Sequence, residues 1–130
     1  MNYEPKQIII IRKDLNMRKG KMVAQGAHAS MKVLLDRMSK IVDDWNLHLD
    51  DGSALQKWLE GKFTKICVSV DSEAELIEIY DRARSEGIIC SIITDAGLTE
   101  FDGIPTKTAV AIGPAWPEEI DPITSHLKLL

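Results

Sequence analysis

The stretch KQIIIIR, from Lys6 to Arg12, decides the fold class because its four consecutive isoleucines show no polar alternation. A continuous β-branched run of this kind is typical of a strand that is buried on both faces. Similar runs occupy residues 63–70, 88–95 and 107–113, and we expect Pro114 to end the last of them. The sequence therefore predicts four buried strands.

Helical patterns separate these strands. We predict four helices, at residues 20–38, 53–60, 72–87 and 118–126. Ser72 and Glu75 form a capping box that marks the start of the third helix, and Pro122 should kink the fourth or reset its start. Strands that alternate with helices predict a single α/β domain over residues 1–130, with a small and mostly parallel sheet. The short connection between the last two strands favours one antiparallel pair.

The bulk composition is that of an ordinary globular domain, with 45% apolar and 28% charged residues. No run reaches the roughly 20 apolar residues of a membrane span, and the N-terminus has no signal-peptide pattern. Cys67 and Cys90 both lie in apolar runs. They indicate two buried free thiols in a reducing cytoplasm, with a disulfide as the alternative.

Charge is distributed unevenly along the chain. The net charge is −4, yet residues 6–40 hold nine Lys or Arg and only two acidic residues. A basic segment on an acidic body can steer a polyanion to one face. The alternative is a chance fluctuation in sign, because a segment of sequence need not form one face of a fold.

The first predicted helix carries four regularly spaced polar residues, Lys21, Gln25, His28 and Lys32. At about 100° per residue they lie within about 60° of one another and form a single polar stripe. A stripe of this kind is usually a solvated helix edge, but such an edge would normally carry Glu and Lys pairs instead of Gln and His. The composition therefore also fits a stripe that faces a cleft.

The opposite side of this helix is apolar, and we expect it to be the buried face. Its members are Val23, Ala24, Ala27, Met31 and Leu34. Gly26 and Ala29 lie beside this face, where their small size permits close approach of another backbone.

The start of the helix is basic, with Arg18, Lys19 and Lys21 in or before the first turn. Cations at a helix N-terminus oppose the macrodipole and cost stability. This arrangement becomes understandable if an anion docks on the free backbone N–H groups there, and we therefore expect a phosphate-binding position.

Three separated motifs resemble those of the type-2 peptidyl-tRNA hydrolases, the archaeal and eukaryotic kind. GKMVAQGAHAS, from Gly20, resembles their GKxAAQxxHA signature, and IITDAGLTE, from Ile92, resembles xxQDAGRTQ. The ending TAVAIGPAWPEEIDPITSHLKLL, from Thr108, resembles TVLGIGPxxxxxIDxxTxHLKL. The motifs occur in the family's order, and the resemblance covers nearly the whole chain.

Members of that family hydrolyse the ester that joins a peptide to the 3′-terminal ribose of tRNA, which recycles peptidyl-tRNA. The resemblance implies a three-layer α/β/α domain with a four-stranded mixed sheet, a tRNA partner and a cytoplasmic location. It implies no cofactor and no metal, and dimers are frequent among members.

By motif match, the family's proposed active-site residues correspond to Lys21, Gln25, Asp95, Thr99 and Thr108, and His28 matches the motif histidine, whose role is less settled. We expect Asp95 to position or deprotonate a water molecule. Lys21 should stabilise the oxyanion or set the charge of Asp95, and Gln25 should orient the substrate carbonyl. With no Ser or Cys nucleophile motif, water should attack the ester directly.

The remaining site residues have plausible roles but also simpler interpretations. Thr99 and Thr108 could hold the water or the ribose hydroxyls, although Thr108 alone is also a good strand residue. Asp95 with Gly97 could be no more than a turn, and His28 could simply pack.

Two positions depart from the family pattern: Leu98 replaces the usual Arg and Glu100 the frequent Gln. Less positive charge beside the site should weaken phosphate contact. We therefore assign the tRNA contacts to the remaining basic residues, Arg12, Lys13, Arg18, Lys19 and Lys32.

Two other functions stay open: a non-catalytic RNA- or protein-binding module on the same fold, and a hydrolase of a different small ester. A metal site is not expected. Acidic residues do lie near His48, at Asp43, Asp44, Asp50 and Asp51, but their spacing fits a solvated loop better than a standard metal site.

Overall fold

The computed structural model describes residues 4–130. The strands in this part of the chain are β1 (Lys6–Arg12), β2 (Met38–Ile41), β3 (Asp44–Leu47), β4 (Lys65–Val70), β5 (Cys90–Asp95), β6 (Thr106–Ala115) and β7 (Lys128–Leu129). The helices are α1 (Lys19–Leu35), α2 (Ala54–Glu60), α3 (Glu73–Ser85) and α4 (Pro117–Thr124). The four predicted buried strands and the four predicted helices are all present, which confirms the α/β class.

Five strands form one mixed sheet in the order β5-β6-β1-β4-β7. β1, β4 and β5 run in one direction, but β6 lies between β1 and β5 and runs in the opposite direction. For this reason β1–β4 is the one parallel pair of the described sheet, and the expectation of mostly parallel pairing does not hold. The antiparallel pairing predicted across the short last connection is confirmed by β5–β6.

Each face of the sheet is covered by helices, which confirms the three layers. On one face Ile8 and Ile10 of β1 pack with Leu76 of α3 and Ile120 of α4. On the other face the alternate β1 residues, Ile9 and Ile11, pack with Ala29 and Val33 of α1. The all-isoleucine pattern of β1 follows directly from this burial on both sides.

The buried face of α1 differs from the one that hydrophobicity predicted. Val23 is 72% and Met31 46% exposed, and Ala24 and Ala27 are exposed as well, so that only Leu34 of the predicted face is buried. The contact with the sheet is made instead by Gly26, Ala29 and Val33. A Cβ added at Gly26 would lie 3.4 Å from Ile9 Cγ2, so the helix backbone lies close to β1.

The expectation of two buried cysteines is correct only in part. Both thiols are free, but Cys67 is exposed and Cys90 is half-buried. Cys67 lies on β4, on the side of the sheet where α1 covers β1, β5 and β6 and leaves β4 open. An apolar groove of about 410 Å³ results there, between Val23 and Ala27 of α1 and Cys67 and Leu130.

Pro114 does not end the last strand of the large sheet, as the sequence had predicted. β6 continues to Ala115, and its pairing with β1 changes register between Lys6 and Ile8. Proline lacks an N–H and is tolerated at such irregularities. The buried side chain of Gln7 completes the hydrogen bonding by donating Nε2 to the Gly113 carbonyl at 3.1 Å.

The segment after α1 is a β-hairpin, which the sequence analysis did not predict. α1 ends at Leu35 instead of continuing to residue 38, and β2 and β3 form a separate two-stranded sheet. Ile41, Val42 and Trp45 are 60%, 87% and 63% exposed, so the hairpin has no alternation of buried and exposed side chains that a sequence pattern could reveal.

Two smaller boundaries also differ. α4 begins at Pro117 and includes Pro122, so Pro122 does not reset its start. The short strand β7 near the C-terminus pairs with β4 and was not predicted. No helix within residues 4–130 is long and apolar enough to cross a membrane.

Candidate active site

Most of the predicted site residues come together at one edge of the sheet. Asp95 ends β5, and Thr108 lies near the start of β6, where that strand pairs with the end of β5. The first two turns of α1 bring Lys21 and Gln25 to the same edge. The reversed direction of β6 is what allows the beginning of one strand and the end of another to share a site.

The ammonium group of Lys21 connects α1 to Asp95 and to Thr99. Its Nζ donates to Asp95 Oδ1 at 3.0 Å and to Thr99 Oγ1 at 2.7 Å. The Lys21 and Asp95 side chains are 14% and 16% exposed, so the pair is largely shielded and still reachable from solvent. An ammonium group has three N–H donors, and one therefore stays available for a substrate oxygen.

Gln25 connects Asp95 to the strand next to it. Its Nε2 donates to Asp95 Oδ1 at 3.3 Å, and its Oε1 accepts from the Thr108 hydroxyl. Gln25 is 1% and Thr108 0% exposed. Neither side chain faces solvent, so their contacts orient Asp95 from behind and do not form the open surface of the site.

The environment of Asp95 favours its ionised form. The hydrogen bond from Lys21 holds the pKa of Asp95 below its ordinary value, and the Gly97 N–H and Gln25 act in the same direction against the opposing effect of burial. The Gly97 N–H donates to Oδ2 at 2.9 Å. A carboxylate oxygen can accept two hydrogen bonds, which leaves Oδ2 able to accept one more, from a water molecule.

The polar stripe of α1 is divided between two environments. Lys21 and Gln25 belong to the site, whereas His28 is exposed and makes none of the hydrogen bonds found within residues 4–130. Lys32 is engaged elsewhere, because its Nζ forms an ion pair with Asp36 at 2.9 Å. The sequence placed all four on one face, and the structure brings only the first two to Asp95.

The basic residues near this edge differ in how available they are. Arg12 is committed internally: its guanidinium pairs with Asp14 at 2.7 Å and donates to the Lys107 carbonyl at 3.0 Å. Lys13, Arg18 and Lys19 are exposed around the start of α1. Lys13 and Lys19 can therefore bind a phosphate without losing an internal partner. Arg18 can do so as well, but its side chain also contacts Glu100.

Three contacts of the site come from the loop of residues 96–105, and the sequence analysis anticipated only the first of them, as a turn at Asp95 and Gly97. The Gly97 N–H binds Asp95, the Phe101 ring lies 5.6 Å from Lys21 Nζ, and the Glu100 carboxylate lies at the start of α1. The Asp-Ala-Gly sequence signals the first, because an Asp side chain often accepts from a backbone N–H two residues on. No local pattern signals the other two.

A cavity of about 660 Å³ lies at the opposite edge of the sheet, where Ala115, Ile88 and Arg37 contribute to its lining. Its lining contains none of the predicted catalytic or tRNA-binding residues. We place the site at Asp95 because hydrolysis depends on the chemistry of the lining groups more than on cavity size. Within residues 4–130 no cluster of three or more His, Cys, Asp or Glu side chains could hold a metal ion.

The fold and the site together define an α/β protein whose sheet edge carries a lysine-paired carboxylate that is partly open to solvent. Residues 5–130 match the family model described as Peptidyl-tRNA hydrolase PTH2. The chain belongs to this family.

Curated relatives agree with the family assignment over nearly the full length. The chain is 50% identical over 125 residues to the peptidyl-tRNA hydrolase of Methanocaldococcus jannaschii, with 96% of this chain and 99% of the relative covered. It is 40% identical over 125 residues to that of Metallosphaera sedula, with 96% and 99% covered. With the Thermococcus onnurineus protein of the same name the identity is 39% over 127 residues, with 96% and 97% covered.

Proposed function

We propose that this protein hydrolyses the ester between a peptide, or an N-blocked amino acid, and the 3′-terminal ribose of tRNA by direct attack of water. The observation that carries the proposal is the Lys21–Asp95 pair, 3.0 Å apart and partly open at the sheet edge. Family membership supports the same activity. Ester hydrolysis needs a positioned water and a stabilised oxyanion, and this pair offers one group for each.

Asp95 is proposed to hold the attacking water on Oδ2 through a hydrogen bond. Its lowered pKa makes it a weak base, which favours orientation of the water over full removal of its proton before attack. The Gly97 N–H on the same oxygen fixes the direction in which the remaining lone pair points.

Lys21 is proposed to stabilise the negative charge that develops on the ester carbonyl oxygen. Two of its donors are fixed by Asp95 and Thr99, so the third is preorganised instead of free to rotate. The Thr99 hydroxyl is exposed and accepts from Lys21, which leaves its own proton for the water or a ribose hydroxyl.

Gln25 and Thr108 are proposed to be positioning residues. Their burial argues against contact with the substrate carbonyl or the ribose, the roles that the sequence suggested for them. The hydrogen bond from Thr108 sets the orientation of the Gln25 amide, and the amide then holds Asp95 Oδ1.

The tRNA backbone is proposed to contact the exposed cations Lys13, Arg18 and Lys19, which surround the same edge as Asp95. Arg12, with its internal partners, is proposed to support the fold of this edge, and Lys32 to contribute little. His28 is left without a role in the reaction by its exposure and distance along α1.

The deciding experiment measures turnover of N-acetyl-aminoacyl-tRNA, unblocked aminoacyl-tRNA and a small ester by the wild type, Asp95→Asn and Lys21→Met. We expect N-blocked tRNA to be preferred and each variant to lose at least about 100-fold in kcat. Asp102→Asn is the matched control, because Asp102 is an exposed carboxylate of the same loop. Mass spectrometry during turnover should show no acylated protein.

Two results would reject the proposal. Folded wild-type protein that binds tRNA without releasing the acyl group would be a non-catalytic binding module. Efficient cleavage of the small ester with no preference for tRNA would indicate a different ester hydrolase.

We also propose that the protein forms a homodimer through the exposed apolar side of α1. Support comes from Val23, Met31 and the groove that α1 forms with Cys67 and Leu130, since contiguous exposed apolar surface often marks an interface. A cytoplasmic location is proposed from the two free thiols and from the place of peptidyl-tRNA in translation.

A further inference from the structure

The start of α1 has no cap of its own. The residue that precedes the helix, Arg18, makes no side-chain capping hydrogen bond, and the first turn has no acidic residue. Arg18, Lys19 and Lys21 place three cations where the helix dipole disfavours them. A helix start of this kind needs an acceptor from elsewhere in the fold.

Glu100 supplies that acceptor from the loop of residues 96–105. Its Oε2 accepts from the Arg18 backbone N–H at 3.4 Å, and its Oε1 lies 3.8 Å from Arg18 Nε. The Glu100 side chain is 19% exposed, whereas that of Arg18 is 91% exposed. The carboxylate is therefore packed against the helix start and is not a free surface charge.

The two neighbours of Glu100 both contact Lys21. Thr99 Oγ1 accepts from Lys21 Nζ at 2.7 Å, and the Phe101 ring faces the same ammonium at 5.6 Å. Backbone hydrogen bonds from Gly103 to Gly97 (2.8 Å) and from Ile104 to Phe101 (2.9 Å) close the loop on itself. Three consecutive residues thus join one compact loop to the first turn of α1.

We propose that Glu100 is a positioning residue for hydrolysis: it fastens loop 96–105 to the start of α1 and so holds Lys21 between Thr99 and Asp95. The proposal rests on the roles assigned above to Lys21 and Asp95. The hydrogen-bonding oxygen carries this role more than the negative charge does, because the ion pair with Arg18 is 3.8 Å long and the Arg18 side chain is 91% exposed, where ion pairs contribute little. The charge has a separate effect, because it opposes the approach of a polyanion.

Glu100→Ala and Glu100→Gln separate these two effects. The Gln side chain keeps an oxygen that accepts from the Arg18 N–H and loses the charge, whereas Ala loses both. We expect kcat to fall about tenfold or more in Glu100→Ala and to stay within about twofold of wild type in Glu100→Gln. The KM for acyl-tRNA should fall in both variants, a change that mere unfolding would not produce.

The pH profile gives a second measurement. Looser contact between Lys21 and Asp95 should raise the pKa of Asp95, so the acid limb of kcat/KM should move to higher pH in Glu100→Ala and remain in place in Glu100→Gln. Asp102→Asn removes a charge from the same loop and should change neither kcat nor the acid limb. Circular dichroism and thermal unfolding establish that each variant is folded.

The proposal is overturned if Glu100→Ala keeps wild-type kcat, or if Glu100→Gln loses as much kcat as Glu100→Ala. Failure of the underlying site assignment looks different. If the roles assigned to Lys21 and Asp95 are wrong, Asp95→Asn and Lys21→Met retain turnover, and this result does not depend on the Glu100 variants.

Discussion

Thr108 and Gln25 are joined by a buried hydrogen bond in which the threonine hydroxyl donates to the amide oxygen of the glutamine. This bond decides which end of the Gln25 amide faces Asp95, because Oε1 is committed to Thr108 and Nε2 is left for Asp95 Oδ1. A buried residue on β6 is thereby linked, through Gln25, to the Asp95 carboxylate on the neighbouring strand.

Thr108→Val tests this link, since valine has nearly the shape of threonine and no hydroxyl. Leaving Gln25 Oε1 unpaired in the interior should cost about 1–3 kcal/mol of unfolding free energy. We expect kcat to fall about tenfold with KM unchanged, because the amide can turn away from Asp95. Thr124→Val is the matched control: Thr124 is also buried, but it donates to Ile120 within α4. Equal kinetic losses in both variants would contradict the prediction.

The pH dependence follows from the lowered pKa of Asp95. Since its pKa is lower in the folded protein than in the unfolded chain, the ionised carboxylate stabilises the fold above the unfolded pKa of about 4, and this stabilisation is lost as the pH falls through the folded pKa. We expect kcat/KM to stay level down to about pH 5 on the acid side.

Lys21→Met should move this acid limb upward, because the main cause of the lowered pKa is then removed. The shift of the acid limb is checked by measuring the remaining activity of Lys21→Met on N-acetyl-aminoacyl-tRNA at stopped time points over a range of pH. An acid limb at the same pH in the variant would mean that Lys21 does not set the charge of Asp95.

Alanine variants of the basic residues around the site should fall into two groups according to how strongly their tRNA binding depends on salt concentration. Lys13→Ala and Lys19→Ala should each weaken tRNA binding and reduce the slope of log K against log salt by about 1, because each removes one phosphate contact. Arg12→Ala should lower stability instead, since Arg12 bonds Asp14 and the Lys107 carbonyl. Lys57→Ala, which removes an exposed lysine of α2, is the control and should leave the slope unchanged. Filter binding across salt concentrations measures the slopes, and thermal unfolding measures the stability of Arg12→Ala.

Association through α1 predicts that Val23→Glu converts a dimer to a monomer, because the interface would have to bury a charged carboxylate in a groove whose lining is apolar except for Lys19. Ile41→Glu places the same charge on the exposed hairpin and should leave the mass unchanged. Sedimentation equilibrium measures both. A monomeric wild type, or dimers in both variants, would exclude this interface.

The four buried strands and most helix boundaries could be predicted because buried β-branched runs and capping residues are local signals. The buried face of α1 could not. Its five apolar residues suggested one face, but a helix that lies close to a sheet needs small residues at the contact, and Gly26 and Ala29 provide them. Hydrophobicity alone favoured the larger side chains, most of which are exposed.

The sequence motifs predicted which residues belong to the candidate site. They did not predict the distances and contacts between those residues. Lys21 and Asp95 are 74 positions apart, so only the fold brings them to 3.0 Å. Burial then distinguishes roles that the motif could not: Gln25 and Thr108 lie behind Asp95, and His28 lies outside the cluster. Glu100 was recognised as a departure in charge, but its contact with Arg18 depends on loop geometry.

The hairpin of β2 and β3 follows the last turn of α1, whereas Lys21 lies in the first. A helix of 17 residues is about 25 Å long, so the end of α1 from which the hairpin leaves is well separated from Lys21. Its exposed turn at Val42 and Asp43 can accept a fluorophore or a surface tether while the basic edge stays open to tRNA. The hairpin therefore offers an attachment point for watching single tRNA molecules arrive and leave.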